Sequence, residues 1–416
     1  MSSIVTIARL GAQGDGIADT PKGPLFVPFA LPGERVNVSM QAVEKKADLV
    51  AVLDPSPERV EPPCRHFGEC GGCAMQHLED AAYRDWKRAR LLDALRAKDI
   101  DVPVEDIVSC APYSRRRAAL TARTTEKGVL LGFNAALSHR IVDMEECHVL
   151  LPAIVEKLDL LRELAGLIAL TSKPFRLAVT HTASGLDVAA DESGKLEGKR
   201  RQAAVDFAIA NGIARLSVDG EIIVEPRKPV FMIDDIAVPA PPGAFIQAVE
   251  EAELAMASLV TTHLAKAKRV ADLFAGVGTF ALRLARSSEV HAVEGDAAAL
   301  ASLDRGFRFA TGLKKVTTEK RDLFIRPVTY KELDATFDGL VFDPPRAGAE
   351  DQAKQIARSQ VRLVAAVSCN PLTLARDLRI LIDGGFNLKR VVPIDQFVWS
   401  PHLEAVALLE KPKKRR

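Results

Sequence analysis

The sequence predicts an α/β protein: a C-terminal doubly wound parallel sheet, preceded by a small β-barrel and a central α+β segment. Beyond residue 244, short apolar runs alternate with helical periods. Before residue 56 there are only brief strand-like runs between turn residues, and the stretch between these regions is mixed and begins with a cysteine cluster.

The chain of 416 residues is long enough for two or three cores. The expected domains are 1–56, 57–243 and 244–412. With 48% hydrophobic and 27% charged residues, neither a disordered chain nor a fibrous repeat is indicated. A net charge of +1, from 56 bases against 55 acids, gives no molecule-wide field for nucleic acid, so any basic surface must be local. The apolar run 4–8 is too short for a secretory signal, and 150–170 is broken by five charged residues. A cytoplasmic monomer is expected.

In the barrel, strands are expected over 4–10, 25–28, 35–43 and 48–53, with turns at 11–16 and 32–33. Prolines 55, 57, 62 and 63 stiffen the connection that follows. The pattern predicts a helix over 78–98, with Leu91, Leu92 and Leu95 on one side and Arg84, Lys87, Arg88, Arg90, Arg96 and Lys98 largely on the other. That basic face, Arg115-Arg116-Arg117 and the tail 411–416 are candidate phosphate contacts.

In the C-terminal region the pattern predicts strands at 269–274, 289–294, 316–320, 339–342 and 363–368, with helices at 250–264, 279–286, 297–310, 352–358 and 371–383. Ligands of such sheets sit at the carboxyl ends of the strands. The first strand enters Ala275-Gly276-Val277-Gly278-Thr279, where glycines admit a ligand close to the backbone. Glu294, 22 positions after Asp272, ends the next strand, placed for ribose hydroxyls. A dinucleotide and S-adenosylmethionine both fit, and Gly276-x-Gly278-x-x-Ala281 matches the dinucleotide spacing.

Asp343-Pro344-Pro345-Arg346 makes a rigid turn that holds a carboxylate at a strand tip, favouring a substrate-facing role. Cys369-Asn370-Pro371 follows 26 residues on, at the same sheet edge. A cysteine there is a packing residue or a nucleophile, and a helix starting at Pro371 would favour its thiolate. Glu404 opens a last apolar strand and is the candidate base. Cys64-x5-Cys70-Gly71-Gly72-Cys73 offers three soft ligands in one turn-rich loop, with spacing that fits zinc or iron.

Phe245-Ile246-Gln247, 272–279, Asp343-Pro344-Pro345-Arg346, Ser368-Cys369-Asn370-Pro371 and His402-Leu403-Glu404 together resemble the RNA uracil-C5 methyltransferases, especially the iron–sulfur members that act on 23S ribosomal RNA. The resemblance implies a Rossmann-like methyltransferase domain behind an OB-like, TRAM-type barrel, the latter on Phe26-Val27-Pro28 and 30–34. It implies that Gln247, Phe274, Thr279, Glu294, Asp322 and Asp343 line the site for S-adenosylmethionine and the target base. It also implies Cys369 as nucleophile and Glu404 as base.

The cysteine cluster, with Cys147 preferred over Cys110 as fourth ligand, would hold a 4Fe-4S cluster. The partner would be RNA, 23S favoured over transfer RNA, with the target uridine in a loop or flipped out. One departure stands out: where the family often has Phe-Pro-His-Thr before its His-x-Glu, this chain has Phe397-Val398-Trp399-Ser400. An amino-group methyltransferase is the rival enzyme, disfavoured because an amine needs no nucleophilic cysteine. A non-catalytic RNA-binding protein and a nicotinamide enzyme rank below it.

Overall fold

The computed structural model describes residues 2–40 and 45–412. Six strands, β1 (Ser2–Thr6), β2 (Arg9–Leu10), β3 (Gly16–Thr20), β4 (Gly23–Val27), β5 (Arg35–Met40) and β6 (Ala47–Asp54), form two three-stranded sheets, β1-β5-β6 and β2-β3-β4. Alternation places Val36 and Val38 of β5 inside, against Ile7, Ala18, Leu25 and Val27. The expected strand 35–43 is described as far as Met40, and 41–44 lie outside the described residues. Strand β3 was not anticipated, because Gly-Ile-Ala-Asp-Thr is too short to display a period of two.

Helix α1 (Asp80–Arg96) follows, capped by the Glu79 carboxylate on the N–H groups of Ala81 and Ala82. Of the bases expected on one outward face, Arg84, Arg96 and Lys98 are exposed, while Lys87, Arg88 and Arg90 turn into the protein. Lys87 is fully buried, pairs with Asp395 and donates to the Phe397 carbonyl at 2.9 Å. Arg88 donates to the carbonyls of Val104 and Glu105, and Arg90 to that of Pro401. The helix is drawn inward because Leu91, Ala94 and Leu95 join Ile100 and Val104 in a core shared with the C-terminal sheet. Strand β7 (Val108–Ser109) then pairs at the edge of that same sheet.

The central sheet, in the order β13-β12-β11-β10-β8-β9, comprises β8 (Arg117–Thr125), β9 (Gly128–Gly132), β10 (Phe175–Thr182), β11 (Gly185–Asp191), β12 (Arg215–Val218) and β13 (Glu221–Val224). Its core includes residues of α2 (Pro152–Val155), α3 (Leu158–Ile168) and α4 (Gly198–Ala210). Leu158, Leu161, Leu164, Ala165 and Ile168 make the buried stripe of α3, which explains the apolar run in that region. No helix among the described residues is long and apolar enough to cross a membrane. The hairpin β14 (Val230–Ile233) and β15 (Ile236–Pro239) packs instead on Val277, Leu282 and Ala299 of the next region.

The C-terminal elements are α5 (Glu250–Leu264), β16 (Arg269–Leu273), α6 (Ala281–Leu284), β17 (Glu289–Glu294), α7 (Ala297–Phe309), β18 (Val316–Lys320), α8 (Tyr330–Thr336), β19 (Gly339–Phe342), α9 (Glu350–Arg358), β20 (Leu363–Ser368), α10 (Pro371–Asp383), β21 (Asn387–Asp395) and β22 (Glu404–Glu410). The sheet order is β18-β17-β16-β19-β20-β22-β21-β7. The expected parallel arrangement holds from β16 to β20, while β22 runs antiparallel between β20 and β21. The sheet is therefore mixed. Alternate residues serve its two faces: Ala271 and Leu273 join one core, Val270 the other.

Candidate active site

The reversal of β22 sets the centre of the site. Ser368 pairs with Ala405 in the β20–β22 ladder, so the next residues, Cys369 and Glu404, face each other where the two strands end. Asp343 stands at the tip of neighbouring β19, and burial pushes its carboxyl up. Glu404 is buried, and desolvation followed by the charge of Asp343 raises its carboxyl far above the usual range. The Cys369 thiol is likewise pushed up, to about 11, by burial and then by Glu404 and Asp343, with Arg346 opposing. The helix start expected to favour a thiolate is outweighed: Asn370 caps α10 through a hydrogen bond from the Leu372 N–H, and two carboxylates face the sulfur.

A line of hydrogen bonds joins these acids. Gln247 Nε2 donates to Asp343 Oδ2 at 3.0 Å, and Gln396 Nε2 donates to both Gln247 Oε1 at 2.9 Å and Glu404 Oε2 at 2.6 Å. Gln396 was missed in the sequence. Its only signal was a lone amide two residues beyond the buried Ile394, at the end of a strand that was itself not recognised.

On the other side of Asp343, Phe274 follows β16 with φ of 62°, and its ring meets that of Phe324 at 5.4 Å. Gly278 has φ of 97°, and a Cβ there would lie 2.8 Å from Leu303, so only glycine fits. Thr279 follows, its carbonyl accepting from Arg283 at 3.0 Å. Glu294 braces the loop: Oε2 accepts from the Gly276 N–H at 2.9 Å and Oε1 from those of Gly295 and Asp296. Asp322 is exposed after β18, its Oδ1 accepting from the Phe324 N–H at 2.9 Å. Asp272 is fully buried with neither oxygen hydrogen-bonded. Desolvation pushes its carboxyl far up, opposed only weakly by the Ala281 N–H, which comes near without completing a hydrogen bond.

Of the arginine run, Arg116 is taken up by an ion pair, while Arg115 and Arg117 are half-buried against aromatic rings. Arg115 lies over the Phe397 ring and Arg117 over that of Phe245, while Arg116 pairs with Glu253 and donates to the Gln247 carbonyl at 3.2 Å. Of the tail, 413–416 lie outside the described residues, and Lys411 donates to the carbonyls of Ala357 and Ser359.

Cys64, Cys70, Cys73 and Cys147 line one cavity of about 1420 Å³ between the barrel, the 64–76 loop and the 133–150 segment. The two segments are held together by Gly71 N–H on the Asn134 carbonyl at 2.9 Å and Arg65 N–H on Glu146 at 2.7 Å. Cys73 is pushed up to about 12 by burial and then by the thiols of Cys147, Cys70 and Cys64. Cys110 lies apart, in a core with Val249 and Met256. Among the described residues, no three His, Cys, Asp or Glu side chains close tightly enough on one point to hold a single metal ion. A second cavity of about 760 Å³ runs from Cys369 and Leu372 past α1 to barrel residues Leu10, Gln13 and Pro32, and shares Gln13, Pro401 and His402 with the first.

The tRNA (Uracil-5-)-methyltransferase family matches residues 308–412, and the TRAM domain matches residues 4–47. An uncharacterized RNA methyltransferase of Mesorhizobium japonicum is 64% identical over 416 residues, covering all of both chains. A 23S rRNA (uracil(1939)-C(5))-methyltransferase of Pectobacterium atrosepticum is 32% identical, over 97% of this chain and 92% of its own. The crystal structure of a Pyrococcus abyssi tRNA (uracil-54, C5)-methyltransferase in complex with S-adenosyl-L-homocysteine shares the fold, with a TM-score of 0.75, 24% identity and coverage of 98% and 99% of the two chains. Matched from the barrel to the final strand by relatives of this kind, the chain belongs to the RNA uracil-C5 methyltransferase family.

Proposed function

We propose that the protein methylates C5 of a uridine in 23S ribosomal RNA, with Cys369 as nucleophile and Glu404 as base. The register that sets these two residues opposite each other carries the reading. C5 of uridine is a weak nucleophile. Once the Cys369 thiol has lost its proton to solvent in the open cleft, sulfur adds to C6 and pushes electron density onto C5. S-adenosylmethionine, when bound, supplies an electrophilic methyl group. Glu404 then takes the C5 proton, and the thiolate leaves.

The residues present fit that cofactor. Asp272, an unpaired buried carboxylate beside the glycine loop, is suited to a cationic ligand, and Phe274, Thr279, Glu294, Asp322 and Asp343 surround the same strand tips. Gln247 completes the site on the substrate side. The cleft from Cys369 to the barrel supports a uridine turned out of its stack, at a cost of roughly a few kcal/mol. The favoured RNA rests on the 32% identical relative. Incubation with S-adenosylmethionine and either 5-fluorouridine-substituted 23S rRNA or tRNA tests both points. Fluorine at C5 cannot leave as a proton, so a gel-stable adduct with 23S rRNA, absent in Cys369→Ala, is expected. An adduct with tRNA alone would reassign the substrate, and no adduct from an enzyme that methylates ordinary RNA would reassign the target atom.

For the cysteine site we infer a 4Fe-4S cluster on Cys64, Cys70, Cys73 and Cys147. Four thiols lining one cavity are the soft donor set that such a cluster takes, and the resemblance to the iron–sulfur members favours it over zinc. Methyl transfer moves no net electrons, so the cluster's part is structural. Iron and acid-labile sulfide in protein purified without air are the expected finding, and stoichiometric zinc in their place would overturn it.

A further inference from the structure

At the centre of the site lies a buried side chain with no part yet in the reaction. Gln396 is 2% exposed, and its hydrogen bonds fix which way its amide points. The Ala248 N–H can only donate, so the atom it meets at 3.1 Å is Gln396 Oε1. Nε2 then faces the opposite way, and its two hydrogens go to Gln247 Oε1 at 2.9 Å and Glu404 Oε2 at 2.6 Å. The constraint passes along the line: Gln247 offers its oxygen to Gln396 and so turns its Nε2 to Asp343 Oδ2. One backbone N–H thereby sets the polarity of two amides.

We propose that Gln396 is the positioning residue for proton removal: anchored on Ala248, it holds Glu404 in place as the base and orients Gln247 toward Asp343. This rests on the reading of Glu404 as the base. After methyl transfer, C5 carries both the methyl group and a hydrogen, and C6 carries the Cys369 sulfur. Glu404 takes the proton, the C5–H pair becomes the C5=C6 double bond, and the C6–S pair leaves on the sulfur. No oxidant or reductant is required. A carboxylate without its donor would rotate away from the reacting proton and would ionise less readily beside Asp343. Asp343 and Cys369 are the titratable groups that face it, with Arg346 beyond the cysteine.

The test uses the full chain, an unmodified 23S rRNA transcript and methyl-labelled S-adenosylmethionine, timing adduct formation and adduct release separately on denaturing gels. Gln396→Met removes the donor, and the near-isosteric Gln396→Glu guards against a packing defect. Adduct formation should slow only a few-fold, through Gln247, and release roughly ten- to a hundredfold, as for loss of one hydrogen bond to a charged group. In Gln396→Met the pH of half-maximal release should move upward. A purely structural role would slow formation and release together with no shift in that pH. Such a result in both variants, or release at the wild-type rate, overturns the proposal. Glu404→Gln, run alongside, separates the two readings. If it accumulates adduct while the Gln396 variants release normally, only the part given to Gln396 falls; if it too releases normally, the base itself is wrong and the proposal falls with it.

Discussion

The Trp399 carbonyl accepts hydrogen bonds from the N–H groups of Ala74 at 2.7 Å and Met75 at 3.0 Å, which ties the loop leading to Glu404 directly onto the chain that leaves Cys73. Trp399 itself holds φ of 56°, and its N–H donates to Tyr83 Oη at 2.8 Å. The cysteine loop therefore clamps the loop that leads to Glu404.

Cys73→Ser should loosen that clamp. Amide hydrogen exchange across 396–403 is expected to quicken about tenfold, the effect of losing roughly one hydrogen bond's worth of local stability. Exchange that stays at the wild-type rate after the cysteine site is lost would show that the loop holds its own shape.

The acids around Cys369 make its thiol hard to ionise. Its alkylation by iodoacetamide should keep rising with pH through pH 9, because a thiol pushed up to about 11 is still mostly protonated there. Glu404→Gln removes a negative charge facing the sulfur and should shift the curve to lower pH. A wild-type profile that levels off below pH 8 would contradict this electrostatic picture.

Asp272 should exchange stability for binding. Its carboxyl is held above the unfolded value, so the ligand-free protein loses stability as pH rises through the unfolded value toward the folded one. Asp272→Asn removes that loss and should raise unfolding free energy at pH 8 by about 1–3 kcal/mol, measured in urea. Calorimetric titration should show weaker S-adenosylmethionine binding by the same variant. Undiminished binding would remove Asp272 from the cofactor site.

Lys87→Met leaves the buried Asp395 without its cation and should cost about 3–5 kcal/mol in chemical denaturation. Adding Asp395→Leu should restore most of the loss, because the penalty lies in the unpaired charge. A double variant as unstable as the single one would mean that packing around Lys87, rather than charge, sets its importance.

The sequence revealed most where one constraint dominated. Strands β19 and β20 are short, apolar and bounded by turns, and the Asp343 and Cys369 turns stand at their ends as expected. Strand β21 was hidden because Lys389 and Arg390 interrupt its apolar period near the sheet edge, and with it went Gln396. The basic face of α1 misled for a related reason. Charge is visible in a sequence, but Asp395, which neutralises Lys87, lies 308 residues away. Arg116 was misread likewise, since its partner Glu253 lies far along the chain.

The path of α1 has a consequence for synthesis. This helix is made early, yet its buried Tyr83 and Lys87 find their partner, Asp395, only after some 300 further residues have been added. The barrel and the central sheet can fold while the chain is still growing, but the core beneath Cys369 closes only with the last strands. Until then Leu91 and Leu95 have no neighbours from β20 to β22 to cover them, and such exposed apolar surface on a nascent chain is the sort that chaperones bind. Truncation from the C-terminus would leave the helix permanently in that state, with Cys369 in place after β20 and no Glu404 to face it.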